Sequence, residues 1–148
     1  MDRQDRLQNF EALFWQLSRD VEHLWKDIYA KTFPGSQSRI MYLLEQSGPM
    51  KMSELANSLH ITAGAVTTAS NILIENGYIS RLRNEEDRRV VHLDLTEKGS
   101  RILHELQNEG RAMMKLVFTD ITDADLQTMT TIYQQAIANI EHLQKRNQ

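Results

Sequence analysis

The chain is 148 residues long, enough for one compact domain or two small lobes sharing a core, and its 41% apolar and 25% charged residues suit an ordinary globular protein. Cysteine is absent, which excludes disulfides, thiol nucleophiles, cysteine redox switches and cysteine-ligated zinc, and fits a reducing cytosol. The formal net charge of −3 argues mildly against a nucleic-acid surface unless positive charge is concentrated somewhere. No apolar run approaches the roughly 20 residues that cross a bilayer. The polar, mixed-charge start "MDRQDRLQNFEALF" is not a signal peptide.

From Leu7 the apolar residues Phe10, Leu13, Phe14, Leu17, Val21, Leu24, Trp25 and Ile28 follow at steps of three and four, which predicts one long amphipathic helix. Phe33-Pro34-Gly35 turns the chain. Ser36 then caps a second helix burying Ile40, Met41, Leu43 and Leu44, and Ser47-Gly48-Pro49 breaks it. Two short helices come next, with Ser53 and Thr62 as their predicted N-caps. The first buries Leu55, Ala56 and Leu59; the second buries Val66, Ala69, Leu73 and Ile72, and Gly77 caps its end.

From Tyr78 the period changes to two. Ile79, Arg81 and Arg83 form one strand, Val91, Leu93 and Leu95 a second, and the polar residues 84–88 join them as a hairpin. Thr96 caps a long helix from Glu97 to about Phe118, with Ile102, Leu106 and Met113 on one face. Thr122 opens the last helix with Asp125 at the capping-box position. Its stripe is Leu126, Met129, Ile132, Tyr133, Ala136, Ile137, Ile140 and Leu143.

Two short helices joined by a three-residue turn make a helix-turn-helix pattern. Ala56 is small where the helices cross, and His60 stands where the turn asks for a positive φ, a place glycine usually takes. The outward residues of the second helix are read as Thr62, Ala63, Gly64, Ala65, Thr67, Thr68, Ser70 and Asn71, all small or short and polar. A helix that must enter a major groove about 12 Å wide needs such residues. Small residues could equally face another helix.

The hairpin adds what the helices lack. A hairpin directly after a recognition helix is a wing, and Arg81, Arg83, Arg88 and Arg89 gather the positive charge that the overall balance hides. Glu85, Glu86 and Asp87 lie among them. Asp87 can hold one arginine, Arg81 or Arg89, in a fixed rotamer through a bidentate pair. The acids would then aim some arginines and limit non-specific attraction.

"DRRVVHLDLTEKG" (87–99) and "LIENGYISR" (73–81) closely resemble the wing signature of the MarR family (multiple antibiotic resistance regulators): an Asp-x-Arg, a short alternating strand, then Leu-Thr-x-x-Gly opening a helix. The order of elements is similar along the whole chain. The resemblance implies that Arg89 is the wing-tip minor-groove arginine and Asp87 its orienting partner. It also implies a homodimeric transcription factor, usually a repressor, whose affinity for double-stranded DNA is often lowered by a small-molecule effector.

The expected fold is therefore mainly α with a small β-hairpin wing: a winged helix-turn-helix lobe at 34–96, flanked by an N-terminal dimerisation helix at 1–33 and C-terminal dimerisation helices at 97–148. Leu7, Phe10, Phe14, Leu126, Met129, Ile132, Tyr133, Ile137 and Ile140 are the predicted seam with a second copy. Trp15, Trp25, Tyr29 and Tyr42 are the candidate effector pocket, although aromatic residues at helical spacing are more often simply core. No cofactor is expected. The five scattered histidines include His104 in "HELQN", which lacks the second histidine of a helical zinc site and leaves open only a zinc or manganese site built across helices from His104 and carboxylates. There is no nucleophile motif, phosphate loop or paired acid and base, so an enzyme is not expected. The competing function is a winged-helix module that binds protein and reads no DNA.

Overall fold

The computed structural model describes residues 2–147. Met1 and Gln148, the outermost residues of the two predicted dimerisation segments, lie outside the described residues. Nine elements follow one another: α1 (Arg3–Ala30), α2 (Ser36–Ser47), β1 (Met50–Lys51), α3 (Met52–Leu59), α4 (Ala63–Glu75), β2 (Ile79–Arg83), β3 (Val91–Leu95), α5 (Glu97–Val117) and α6 (Asp123–Arg146). The chain divides into two compact units, Met1–Arg111 and Ala112–Gln148, with the division inside α5. No helix among the described residues is long and apolar enough to cross a membrane.

Local chemistry explains the boundaries. Asp2 opens α1 by accepting from the Asp5 backbone N–H, while Asp5 accepts in return from that of Asp2. This reciprocal cap lies ahead of the first apolar residue, so the apolar period alone starts the helix too late. Two expected caps are corrected. Ser36 is the first residue of α2 rather than its cap; Gly35 takes that place with φ at 61° and no side-chain bond. Ser53 lies inside α3. Lys51 stands at its cap, and the Lys51 backbone N–H donates to the Glu54 carboxylate at 3.0 Å. Thr62, Thr96 and Thr122 do cap. Each hydroxyl oxygen accepts the backbone N–H three residues on, from Ala65, Gly99 and Asp125, at 3.1 Å.

The sheet has three strands, one more than the expected hairpin. Its order is β1-β3-β2 and all pairs are antiparallel. Met50 pairs with Leu93 and Lys51 with His92, while Ile79 to Arg83 pair with Leu95 to Val91. Two residues after a Gly-Pro break carry no period, so β1 leaves no pattern in the sequence.

The core of the first unit lies between the sheet and the helices. Phe33, Ile40, Met41, Leu44, Leu55, Val66, Leu73, Ile79, Leu93 and Leu103 are all buried. On α5 the buried face is Gly99, Leu103, Leu106 and Gly110, so Ile102 and Met113 sit half-buried beside it rather than at its centre. Leu43 is likewise half-buried, and Ile72 is exposed rather than buried, because it projects from the side of α4 away from Val66 and Leu73. Gly99 is required. A Cβ there would meet the Tyr78 carbonyl oxygen.

Candidate nucleic-acid interface

The turn between α3 and α4 is built as its sequence asks. His60 adopts φ 54°, ψ 43°, and backbone bonds from His60 to Asn57 and from Ile61 to Ala56 close the end of α3. Histidine tolerates this left-handed conformation better than a β-branched residue does. At the far end of α4, Gly77 with φ 76° closes the helix. Its N–H bonds Ile74 and that of Tyr78 bonds Leu73, both at 2.9 Å, a Schellman pair.

Three contacts then fix α4 relative to the wing and α5. The Thr96 hydroxyl donates to the Gly77 carbonyl at 2.6 Å. Lys98 donates to the Asn76 carbonyl at 2.7 Å and lies 4.8 Å from the centre of the Tyr78 ring. Both helix and hairpin therefore leave from one rigid corner.

The outer face of α4 is uncharged until Glu75. Thr62, Ala63, Gly64, Thr67, Thr68 and Asn71 are exposed and Ala65 is half-buried. Ser70 corrects the expectation of an outward residue: it is 1% exposed, and its hydroxyl has no hydrogen-bond partner among the described residues. It stands four residues after Val66 and next to Ala69, on the inward face, where the helical period places it despite its polarity.

The wing is a tight loop held by its own side chains. Asn84 Oδ1 accepts from the Glu86 N–H at 2.9 Å, and Asp87 Oδ1 accepts from the Arg89 N–H at 3.0 Å. The Asn84 N–H bonds Val90 and the Val90 N–H bonds Asp87, closing the loop. Asp87 also takes Arg89 Nε at 3.2 Å, which decides between the two arginines considered. The pair is not bidentate: one carboxylate oxygen serves both the Arg89 backbone and its Nε. The Arg89 side chain is 93% exposed, so this pair orients the guanidinium and stabilises little. Arg83 and Arg88 flank a neighbouring hollow with Asn84 and Glu85. Arg81 has a different partner. Its Nη2 donates to Asn71 Oδ1 on α4 at 2.8 Å, a link that no period in the sequence announces.

A second feature of the first unit is a cavity of about 260 Å³ lined by Trp25, Lys26, Tyr29, Ser38, Arg39, Tyr42, Leu43 and Leu59. Three of the four expected aromatic residues meet there. Trp15 does not; it lies exposed on α1, edge-on to Phe14. The polar lining was missed because Lys26 and Arg39 look like solvent residues in isolation. Arg39 Nη2 donates to the Leu59 carbonyl at 2.9 Å, one residue before the His60 turn. Burial, with the nearby Glu45 and Tyr42 adding to it, raises the Tyr29 phenol above the ordinary tyrosine pKa. The Gln107 side-chain amide donates to Glu45 at 2.8 Å.

Of the expected seam residues, Leu7, Phe10, Leu126, Ile132, Tyr133, Ile137 and Ile140 are exposed, and Phe14 and Met129 are half-buried. His104 is exposed, and among the described residues no three His, Asp or Glu side chains are grouped to hold a metal ion.

Residues 34–91 match the family model described as MarR family. The chain is 26% identical over 131 residues to YpoP, an HTH-type transcriptional regulator of Bacillus subtilis (strain 168), covering 88% of this chain and 93% of that one. It is 29% identical over 91 residues to MdtR, an HTH-type transcriptional repressor of the same organism, covering 62% of this chain and 59% of MdtR. Among solved structures, the transcriptional regulator Tm0710 from Thermotoga maritima shares the fold with a TM-score of 0.79 at 19% identity, over 91% of this chain and 96% of that one.

Proposed function

Since this chain belongs to the MarR family of transcriptional regulators and carries their DNA-binding winged-helix fold, we propose that it is a homodimeric repressor of a palindromic operator. It is a regulator and not an enzyme. In this reading the lobe at 34–96 holds the DNA, and the segments 1–33 and 97–148 hold the second copy. Helix α4 enters the major groove with Thr62, Ala63, Gly64, Ala65, Thr67, Thr68 and Asn71. Arg89, aimed by Asp87, reaches the minor groove, and Arg83 and Arg88 meet phosphates. The repressor works in the cytoplasm with the DNA it regulates.

The observation that carries this reading is the pairing of an uncharged, small-residue helix face with an arginine that is 93% exposed yet held in one orientation. An arginine ordered before binding loses less entropy when it enters a groove. The dimer follows from two exposed apolar faces, on α1 and on α6, each of which a second copy can cover. Two half-sites one helical turn apart multiply a modest single-site preference. The cavity at Trp25, Tyr29 and Tyr42 takes the small-molecule effector. Arg39 supplies positive charge there, beside Lys26, which pairs with Glu22 at 3.0 Å, and Arg39 connects the cavity to the α3–α4 turn through the Leu59 carbonyl.

The test is fluorescence anisotropy on DNA upstream of the protein's own gene, against scrambled DNA, through a salt series. The expected result is specific, salt-steep binding. Arg89→Ala should lower it about tenfold to a hundredfold, the scale of one lost groove contact, with unchanged melting, because an exposed arginine contributes little to stability. Equal weak binding of both DNAs by wild type would favour a winged-helix module that serves a protein partner.

A further inference from the structure

Three side chains on the outer face of α4 already make hydrogen bonds within the fold. Each bond removes one option from the residue that makes it. Gly64, Thr67, Thr68 and Asn71 are spaced by three and four and so share one face. The Thr67 hydroxyl donates to the Ala63 carbonyl and that of Thr68 to the Gly64 carbonyl, both at 3.0 Å. Their only protons are spent inward, which leaves oxygen lone pairs facing out.

Asn71 is the reverse case. Arg81 Nη2 lies 2.8 Å from its Oδ1. A guanidinium has N–H donors and no acceptor, so only the amide oxygen can face it. The Asn71 amide is thereby oriented by chemistry, and among the described residues its Nδ2 protons have no partner, which leaves them to a ligand. Its anchor is well placed, because Arg81 stands on β2 in register with Leu93, the buried centre of the sheet.

An unconstrained asparagine reads adenine with two bonds, accepting from N6 and donating to N7. Here one lone pair of Oδ1 is taken, and a donor approaching the other meets the positive charge of the guanidinium. An acceptor approaching Nδ2 meets two N–H groups backed by a positive charge. Guanine presents O6 and N7 in the major groove, both acceptors, and no donor.

We propose that Arg81 is a specificity-determining positioning residue. By holding Oδ1 of Asn71 it turns that residue toward donating, so that it selects guanine over adenine. This rests on the reading of α4 as the major-groove helix and adds the base that one of its positions selects. Recognition helix and wing then act as one reading unit, joined through the Arg81–Asn71 bond.

The test begins by selecting duplexes from a random pool with wild type and with Asn71→Ala. The base pair whose preference Asn71→Ala flattens is the one Asn71 reads. We expect guanine there, and a change to adenine should weaken wild-type binding about tenfold by anisotropy. Arg81→Met should bring the two bases within about twofold of each other, or reverse them, because the freed amide can now offer both groups. Arg81→Lys keeps a donor and a positive charge and should retain the guanine preference. Asn71→Asp keeps its bond to Arg81 but has no donor, and should lose that preference; Arg81→Thr, which suits a strand, takes the place of Arg81→Met if that variant does not fold. Adenine at that pair in wild type would overturn the inference. So would an equal loss of affinity for all sequences in Arg81→Met, which would make Arg81 a phosphate contact. A wild-type motif that Asn71→Ala leaves intact removes this inference alone. A wild type that selects no motif removes the operator reading as well.

Discussion

The winged lobe and the terminal helices are written in the same amphipathic pattern and end in opposite states. In the lobe the pattern is satisfied within the chain: Ile40, Met41, Leu55, Val66, Leu73 and Leu93 have no exposed surface. On α1 only Ile28 is buried, and α6 has no buried residue at all. Leu7 remains 61% exposed, Ile132 56% and Ile137 57%. An apolar stripe thus states that a face is to be covered and is silent about what covers it. Exposed apolar surface on this scale marks an interaction site, and the contrast suggests a division of labour, with the lobe complete in itself and the terminal faces completed by another molecule.

The largest effect should come from breaking the unfinished side. Ile132→Asp places a charge on the α6 stripe, and burying it against a second copy would cost several kcal/mol. We expect the proposed dimer to dissociate in sizing and specific DNA affinity to fall by more than about a hundredfold as the second half-site is lost. Helical content should hardly change, because Ile132 has no buried role within its own chain. A dimer of unchanged size would mean that the α6 stripe faces something else.

The complementary break is inside the finished side. Gly99→Ala places a Cβ against the Tyr78 carbonyl oxygen, a backbone atom pinned between the Thr96 N–H and the start of β2. Overpacking of this kind costs about 1–3 kcal/mol. Gly110→Ala meets the Trp25 ring, a side chain rather than backbone, and should cost less in the same melting series if that ring can shift. The reverse ranking would show that Trp25 is the more rigid of the two neighbours.

How legible each region was follows from the range of its interactions. Caps and turns set by residues three or four apart were readable, as at Thr62, Thr96, Thr122 and the positive φ of His60. Features that depend on distant partners were not. Strand β1 exists because β3 pairs with it, and Arg81 finds Asn71 across the helix–wing corner. The lining of the cavity joins α1, α2 and the end of α3. Ser70 differs: its residue type suits an outward position, but the helical period places it inward beside Ala69. Its buried, unpartnered hydroxyl makes a sharp check on the finished core. Replacing an unsatisfied buried hydroxyl by a methyl removes a desolvation cost, so Ser70→Ala should be neutral or stabilise by about 1 kcal/mol. Binding to DNA should not change. A loss of specific binding would return Ser70 to the reading face.

The smallest effect should appear at Tyr29, where α1 meets the finished lobe. Burial raises the Tyr29 phenol above its ordinary pKa, and the negative charge of Glu45 pushes the same way, while the Gln107 bond and Arg111 oppose it. The folded state therefore keeps this proton after the unfolded chain has begun to lose its own near pH 10. In that window the native state binds more protons than the unfolded one, so stability falls as pH rises. Below it the contribution is complete and flat. Melting followed from pH 8 upward should show an alkaline decline that is weaker in Tyr29→Phe, which has no phenol to ionise. Spectroscopic titration of tyrosinate should show one late-ionising residue that disappears in the same variant. If Tyr29→Phe instead declines in step with wild type, the phenol is open to solvent, and α1 rests on the lobe more loosely than its buried Ile28 implies.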